Sequence, residues 1–149
     1  MSLRVNIGVR LYAAGLFAAM TMFSLPGAAS AQTTVKISAP EHVADAKIQG
    51  GTYANTVYDN QPLATKVHPT TLTYTRRSVL KFDTHNTVPL SAPIQSAKLT
   101  LTLKASDSAT RTLAIYRLSQ TFDERYATWN TRKSSTRWTS AGGALAEKF

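Results

Sequence analysis

Tyr74-Thr75-Arg76-Arg77-Ser78-Val79-Leu80-Lys81-Phe82-Asp83 is the stretch on which the reading of this chain turns. It predicts a β-strand with one oily and one basic face, because side chains alternate across a strand with period two. Leu80 and Phe82 share one face, with Ser78 and Arg76 leading into it. Arg77, Val79 and Lys81 share the other. The first face is expected to bury. The second is expected to carry two cations about 13 Å apart, four residues at ~3.3 Å each. A rigid row of cations suits a polymer with regularly spaced anions. The solvated face of an ordinary sandwich strand has the same pattern.

Upstream lies a leader. Arg4 and Arg10 are basic, and Leu11 to Leu25 is an apolar run, LYAAGLFAAMTMFSL. Pro26 and Gly27 break it, and Ala29-Ser30-Ala31 is a small-x-small cleavage signal. Residues 1–31 therefore predict a secretory signal peptide, cut after Ala31 and standing outside the fold. The run is short for a membrane span, which needs about 20 apolar residues. The chain is expected to be secreted, to the periplasm or cell surface, with no membrane attachment after cleavage.

The chain has 149 residues, with 17 Lys and Arg against 8 Asp and Glu, and no cysteine. Loss of Arg4 and Arg10 leaves residues 32–149 at +7. An exported chain without disulfides must draw stability from its core or from a bound ion.

Around the central stretch, short strands alternate with turn signals. Val43 to Ile48 predicts a strand stopped by Gly50-Gly51, with Ala44, Ala46 and Ile48 on one face. Leu63 to Val67 predicts a short strand; if it pairs with the central one, Lys66 shares the outer face with Lys81. Ile94 to Lys104 alternates Leu99, Leu101 and Leu103 with Lys and Thr. Ala105 to Thr110 predicts a turn, and Arg111 to Leu118 another strand. Ser134 to Phe149 is polar and offers little to bury beyond Trp138, Leu145 and Phe149. No helical period is sustained. The expected fold is all-β, a jelly-roll β-sandwich over residues 32–149.

Five words stand in order: VADAKIQGGTYANTVYDNQPLATK, YTRRSVLKFD, IQSAKLTLTL, LAIYRL and FDERYATWNTR. Together they resemble the secreted DNRLRE-type domains, also classed as alginate-binding carbohydrate-binding modules of family 96. The resemblance covers about residues 43 to 132. It implies a β-jelly-roll that binds acidic polysaccharide through a basic surface. Two departures stand out. Lys133 replaces the proline that usually follows the TWN word. The family also continues with further strands, so the sandwich is expected to be truncated at its C-terminus. Ser134 to Phe149 is then expected to be poorly ordered, and the open sheet edge to favour self-association.

The candidate ligand residues are Lys47, Lys66, Arg76, Arg77 and Lys81, with Tyr53, Tyr58 and Tyr74 available to stack on sugar rings. Arg grips a carboxylate with two parallel hydrogen bonds, while Lys supplies a point charge. Asp45, Asn55, Asp59, Asn60 and Asp83 are oxygen donors that can ligate a structural calcium or bond their own turns. No loop has a dense calcium spacing, so no cofactor and no metal ligand is assigned. Asp123 and Glu124 are neighbours and cannot oppose each other as acid and base. Trp129 is expected in the core, with a carboxylate of that word tying down backbone N–H groups. His42, His68 and His85 sit singly, and no nucleophile or metalloprotease motif is present. The expected function is non-catalytic binding of an acidic polysaccharide such as alginate. The alternative is a structural or adhesive surface domain without a glycan ligand. No nucleic-acid motif is present.

Overall fold

The structure is a computed structural model and describes residues 6–11, 33–85, 87–104 and 112–149. Among these residues the regular elements are strands and 3-10 turns, with no α-helix, so the fold is all-β. The strands are β1 (Asn6–Leu11), β2 (Thr33–Ile37), β3 (Val43–Gln49), β4 (Arg76–Phe82) and β5 (Ile94–Thr100). Four more follow: β6 (Tyr116–Leu118), β7 (Thr131–Lys133), β8 (Thr136–Arg137) and β9 (Leu145–Lys148). Every strand pairing is antiparallel. They make one three-stranded and three two-stranded sheets, which do not by themselves trace a jelly roll. The expected turn at Ala105 to Thr110 lies outside the described residues.

The chain divides into two compact units. One holds residues 4–42 and 83–101. Its sheet runs β2-β1-β5, with Ile7 opposite both Ile37 and Leu99. Residues 6–11, inside the segment read as a leader, thus form the middle strand when the leader is attached. Leu101 and Leu103, expected to extend β5, lie beyond its end and are exposed.

The other unit holds residues 43–82 and 102–149. Its frame is the β3–β4 pair, in register from Val43 opposite Phe82 to Gln49 opposite Arg76. Directly opposed residues share a face. Ala44, Ala46 and Ile48 therefore lie beside Lys81, Val79 and Arg77. This is the core face: Ala46, Ile48 and Val79 are buried with Phe122, Ala127, Trp129, Trp138 and Ala144.

That arrangement reverses the expected orientation of β4. Val79 is only 4% exposed, while Leu80 and Phe82 are half-buried on the opposite face. The reason is β3. Its small residues and Ile48 choose the side on which the two tryptophans pack, and β4 must follow in register.

Ser134 to Phe149 is also ordered, contrary to expectation. β7 and β8 form a hairpin, and β9 pairs with β6. Trp138 is buried and donates from Nε1 to the Thr128 carbonyl at 2.9 Å. Of the three apolar residues expected to bury at this end, Trp138 does so, joined in the core by Ala144, while Leu145 and Phe149 are exposed.

The FDERYATWNTR word is scaffold. Asp123 Oδ1 accepts the Arg125 N–H at 3.2 Å and caps the 3-10 turn Glu124–Tyr126. The Thr128 hydroxyl accepts from the backbone N–H of Asn130 and Thr131. Trp129 is buried, as the sequence predicts.

Candidate functional site

The β3–β4 pair sorts the five candidate cations into two groups. Arg77 and Lys81 stand on the core face, and each makes contacts within the protein, Lys81 while remaining exposed. Arg77 stacks on the Trp129 ring at 4.9 Å and donates from Nη1 to the Gly142 carbonyl at 2.6 Å. Lys81 lays its amine over the Phe122 ring at 5.5 Å and donates to the Phe122 carbonyl at 3.0 Å. Long basic side chains cover the ends of an apolar core in this way, stem on the rings and charge at the rim. Both contacts of Arg77 are thus made within the protein itself.

Lys81 borders a shallow depression of about 490 Å³ with Asp123, Glu124, Arg125 and Lys133. Three cations meet two carboxylates here. Arg125 pairs with Asp123 at 3.2 Å, and this pairing holds the Asp123 carboxyl below its ordinary value. Burial, and then the nearby charge of Asp45, push the Glu124 carboxyl up.

Lys47, Arg76 and Lys66 come together on the other face. Gln49 stands opposite Arg76 across the β3–β4 ladder, and Arg76 is bridged to Lys66 on its far side. The Lys66–Arg76 bridge carries both backbone bonds, 3.0 and 2.8 Å. Only this bridge remains of the strand expected at Leu63 to Val67. It places Lys66 beside Arg76, on the face away from Lys81, which corrects the shared face expected for those two. Lys47 lies two residues before Gln49 and so on the same face.

Two tyrosines flank the cations. Tyr58 lies 4.1 Å beneath the Lys47 amine and donates its hydroxyl to Gln49 Oε1 at 3.3 Å. Tyr74 is half exposed, 5.3 Å from the His68 ring and 6.0 Å from the Lys66 amine. Tyr53 stands in the 3-10 turn Gly51–Tyr53, outside these contacts.

These three cations make no ion pair among the described residues, although Asp45, two residues before Lys47, shares their face. Among the described residues, ion pairs join Arg117 to Glu147 and Arg125 to Asp123. None involves Lys47, Lys66 or Arg76. The Lys47 amine is held below the ordinary lysine value, first by burial and then by the Arg76 charge. Like charges placed directly opposite on neighbouring strands repel. Holding Arg76 against Lys66 and near Lys47 therefore costs stability unless an anion joins them.

Two of the oxygen donors weighed for calcium make hydrogen bonds within the chain. Asn55 Oδ1 accepts from Asn130 at 2.8 Å, and Asp83 Oδ1 accepts the His85 N–H at 3.0 Å. Among the described residues, no three or more His, Asp or Glu side chains are grouped to hold a metal ion. Gln49 escaped the sequence reading. The period-two spacing from Lys47 places it on the basic face and was the available signal.

The chain matches the profile of carbohydrate-binding module family 96 over residues 36–144, and it belongs to that family. No curated protein and no solved structure matches it. Modules of such families bind carbohydrate and are typically non-catalytic.

Proposed function

We propose that this protein is a secreted, non-catalytic module that holds an acidic polysaccharide, of which alginate is the model, on the outward face of β3 and β4. The observation that carries the reading is the trio Lys47, Arg76 and Lys66, which has no carboxylate partner among the described residues and stands between Tyr58 and Tyr74. A uronate chain supplies one carboxylate per sugar and a ring face for the tyrosines. An exposed pair contributes only ~0.2–1 kcal/mol, so several contacts must act together. A Kd near 10 μM needs about 7 kcal/mol, which three cations and two rings can approach. The leader supports export, and binding needs no cofactor.

Affinity electrophoresis in alginate gels tests this reading. Lys47→Ala with Arg76→Ala should abolish most of the retardation of the unaltered chain, while Lys133→Ala should leave it. Equal retardation of all three rejects the site. Correct folding with no retardation in any acidic glycan favours the structural or adhesive alternative.

A further inference from the structure

We infer that Gln49 is the positioning residue of this site, turning the outer edge of the Arg76 guanidinium toward a uronate carboxylate; the inference rests on the polyuronate reading above. Gln49 is 4% exposed, which is unusual for a glutamine on a ligand face. All of its polar atoms are used. Nε2 donates to the Thr73 carbonyl at 2.8 Å. Oε1 accepts from the Tyr58 hydroxyl at 3.3 Å and from Arg76 Nε at 3.1 Å. These bonds fix which way the carboxamide points, because a carbonyl can face only its nitrogen and two donors can face only its oxygen.

The consequence falls on Arg76. A guanidinium has five N–H donors in a rigid plane and can meet a carboxylate side-on, through Nε and one Nη, or end-on, through both Nη atoms. Gln49 occupies Nε, which closes the side-on approach. No bond within the described residues engages the Nη atoms of Arg76. The end-on fork is thus left free and held still, between the amines of Lys47 and Lys66. The same carboxamide anchors Tyr58, whose ring lies under Lys47. One buried side chain thereby orients the carboxylate fork and one aromatic wall. Ordering both before the ligand arrives lowers the entropy that binding must spend.

The test uses the full chain and sodium alginate as the probe, with binding followed by titration calorimetry. Gln49→Leu should weaken binding about tenfold, with the salt dependence unchanged because every cation is kept. Arg76→Lys should weaken it by a similar factor, since an ammonium has no fork to aim. In the Arg76→Lys background, Gln49→Leu should then change affinity by clearly less than about tenfold, the remainder being the share of the Tyr58 wall. Full losses in both backgrounds, multiplying in the double variant, mean a merely structural Gln49 and overturn the inference. Wild-type affinity in Gln49→Leu overturns it as well. Should Gln49→Leu fail to fold, Gln49→Glu retains the acceptor oxygens but satisfies the guanidinium internally. It should bind about tenfold more weakly and with a shallower salt dependence. Unchanged affinity there overturns the inference. An unaltered chain that does not bind alginate overturns the polyuronate reading itself, and this inference with it.

Discussion

Arg77 shows how much a single side chain can change role between sequence and structure. Its stem and guanidinium cover Trp129, and its hydrogen bond ends on Gly142. Gly142 has φ near +86°, and a Cβ there would come 2.7 Å from both Arg77 and Trp129. Arginine, tryptophan and glycine thus form one stacked unit at the end of the core. A hydrogen bond from a charged group contributes about 1.5–3 kcal/mol. Arg77→Ala is therefore expected to lower the melting temperature by roughly 5–10 °C with alginate retardation retained. Calorimetric melting checks the first part, and an unshifted transition would show that the stack contributes nothing. Glu124 supplies a second prediction at this scale. Its carboxyl is raised in the folded chain by burial and by Asp45. The folded state therefore holds this proton more tightly than the unfolded one. Stability from that source is present below the ordinary carboxylate value and lost as pH rises through the raised one. The denaturation midpoint of the unaltered chain, compared with Glu124→Gln, should fall across that window and then run level. A constant difference between the two curves contradicts the assignment.

The element scale is governed by pairing. β3 has β4 on one edge. β4 in turn has the Lys66 bridge on its far edge. The C-terminal segment forms a hairpin and a strand on β6, so its polar composition conceals a structural role. β1 is the strand whose pairing depends on the leader. It lies between β2 and β5 and is antiparallel to both, so those two run parallel to each other. Removal of residues 1–31 takes β1 away and leaves two unpaired edges. The processed chain is expected to self-associate more than the full chain, and sedimentation of both forms measures this. Two equally monodisperse monomers would show that β2 and β5 close up without β1.

At the scale of the whole molecule, charge decides encounter more than recognition. The chain carries +9, or +7 without residues 1–31, so any polyanion is drawn to it over a screening length of ~8 Å at physiological salt. Recognition must then come from the few cations that are aimed. Lys47→Ala with Arg76→Ala is expected to weaken alginate binding far more than binding to duplex DNA, because non-specific phosphate binding is spread over many cations. Competition between the two polymers at several salt concentrations reads this directly. Equal losses would make the face a general polyanion surface.

The sequence by itself determined the class of fold, the places of β3 and β4 in the chain, the burial of Trp129 and the family. Those features are local or carried by strings of residues: period-two alternation, the Gly50-Gly51 stop, and five words in order. It also named all three cations of the proposed site. What it could not determine was which face of β4 turns inward. Within the ten-residue stretch, Leu80 and Phe82 outweigh Val79 in hydrophobicity, so local pattern favours the wrong side. The choice is made by partners far along the chain, Ile48 across the ladder and Trp129 and Trp138 above it, whose joint burial exceeds what Leu80 and Phe82 would gain. Only the tertiary structure could therefore send Arg77 and Lys81 to the rim of the core, and bring Lys66, Arg76 and Lys47 together around Gln49.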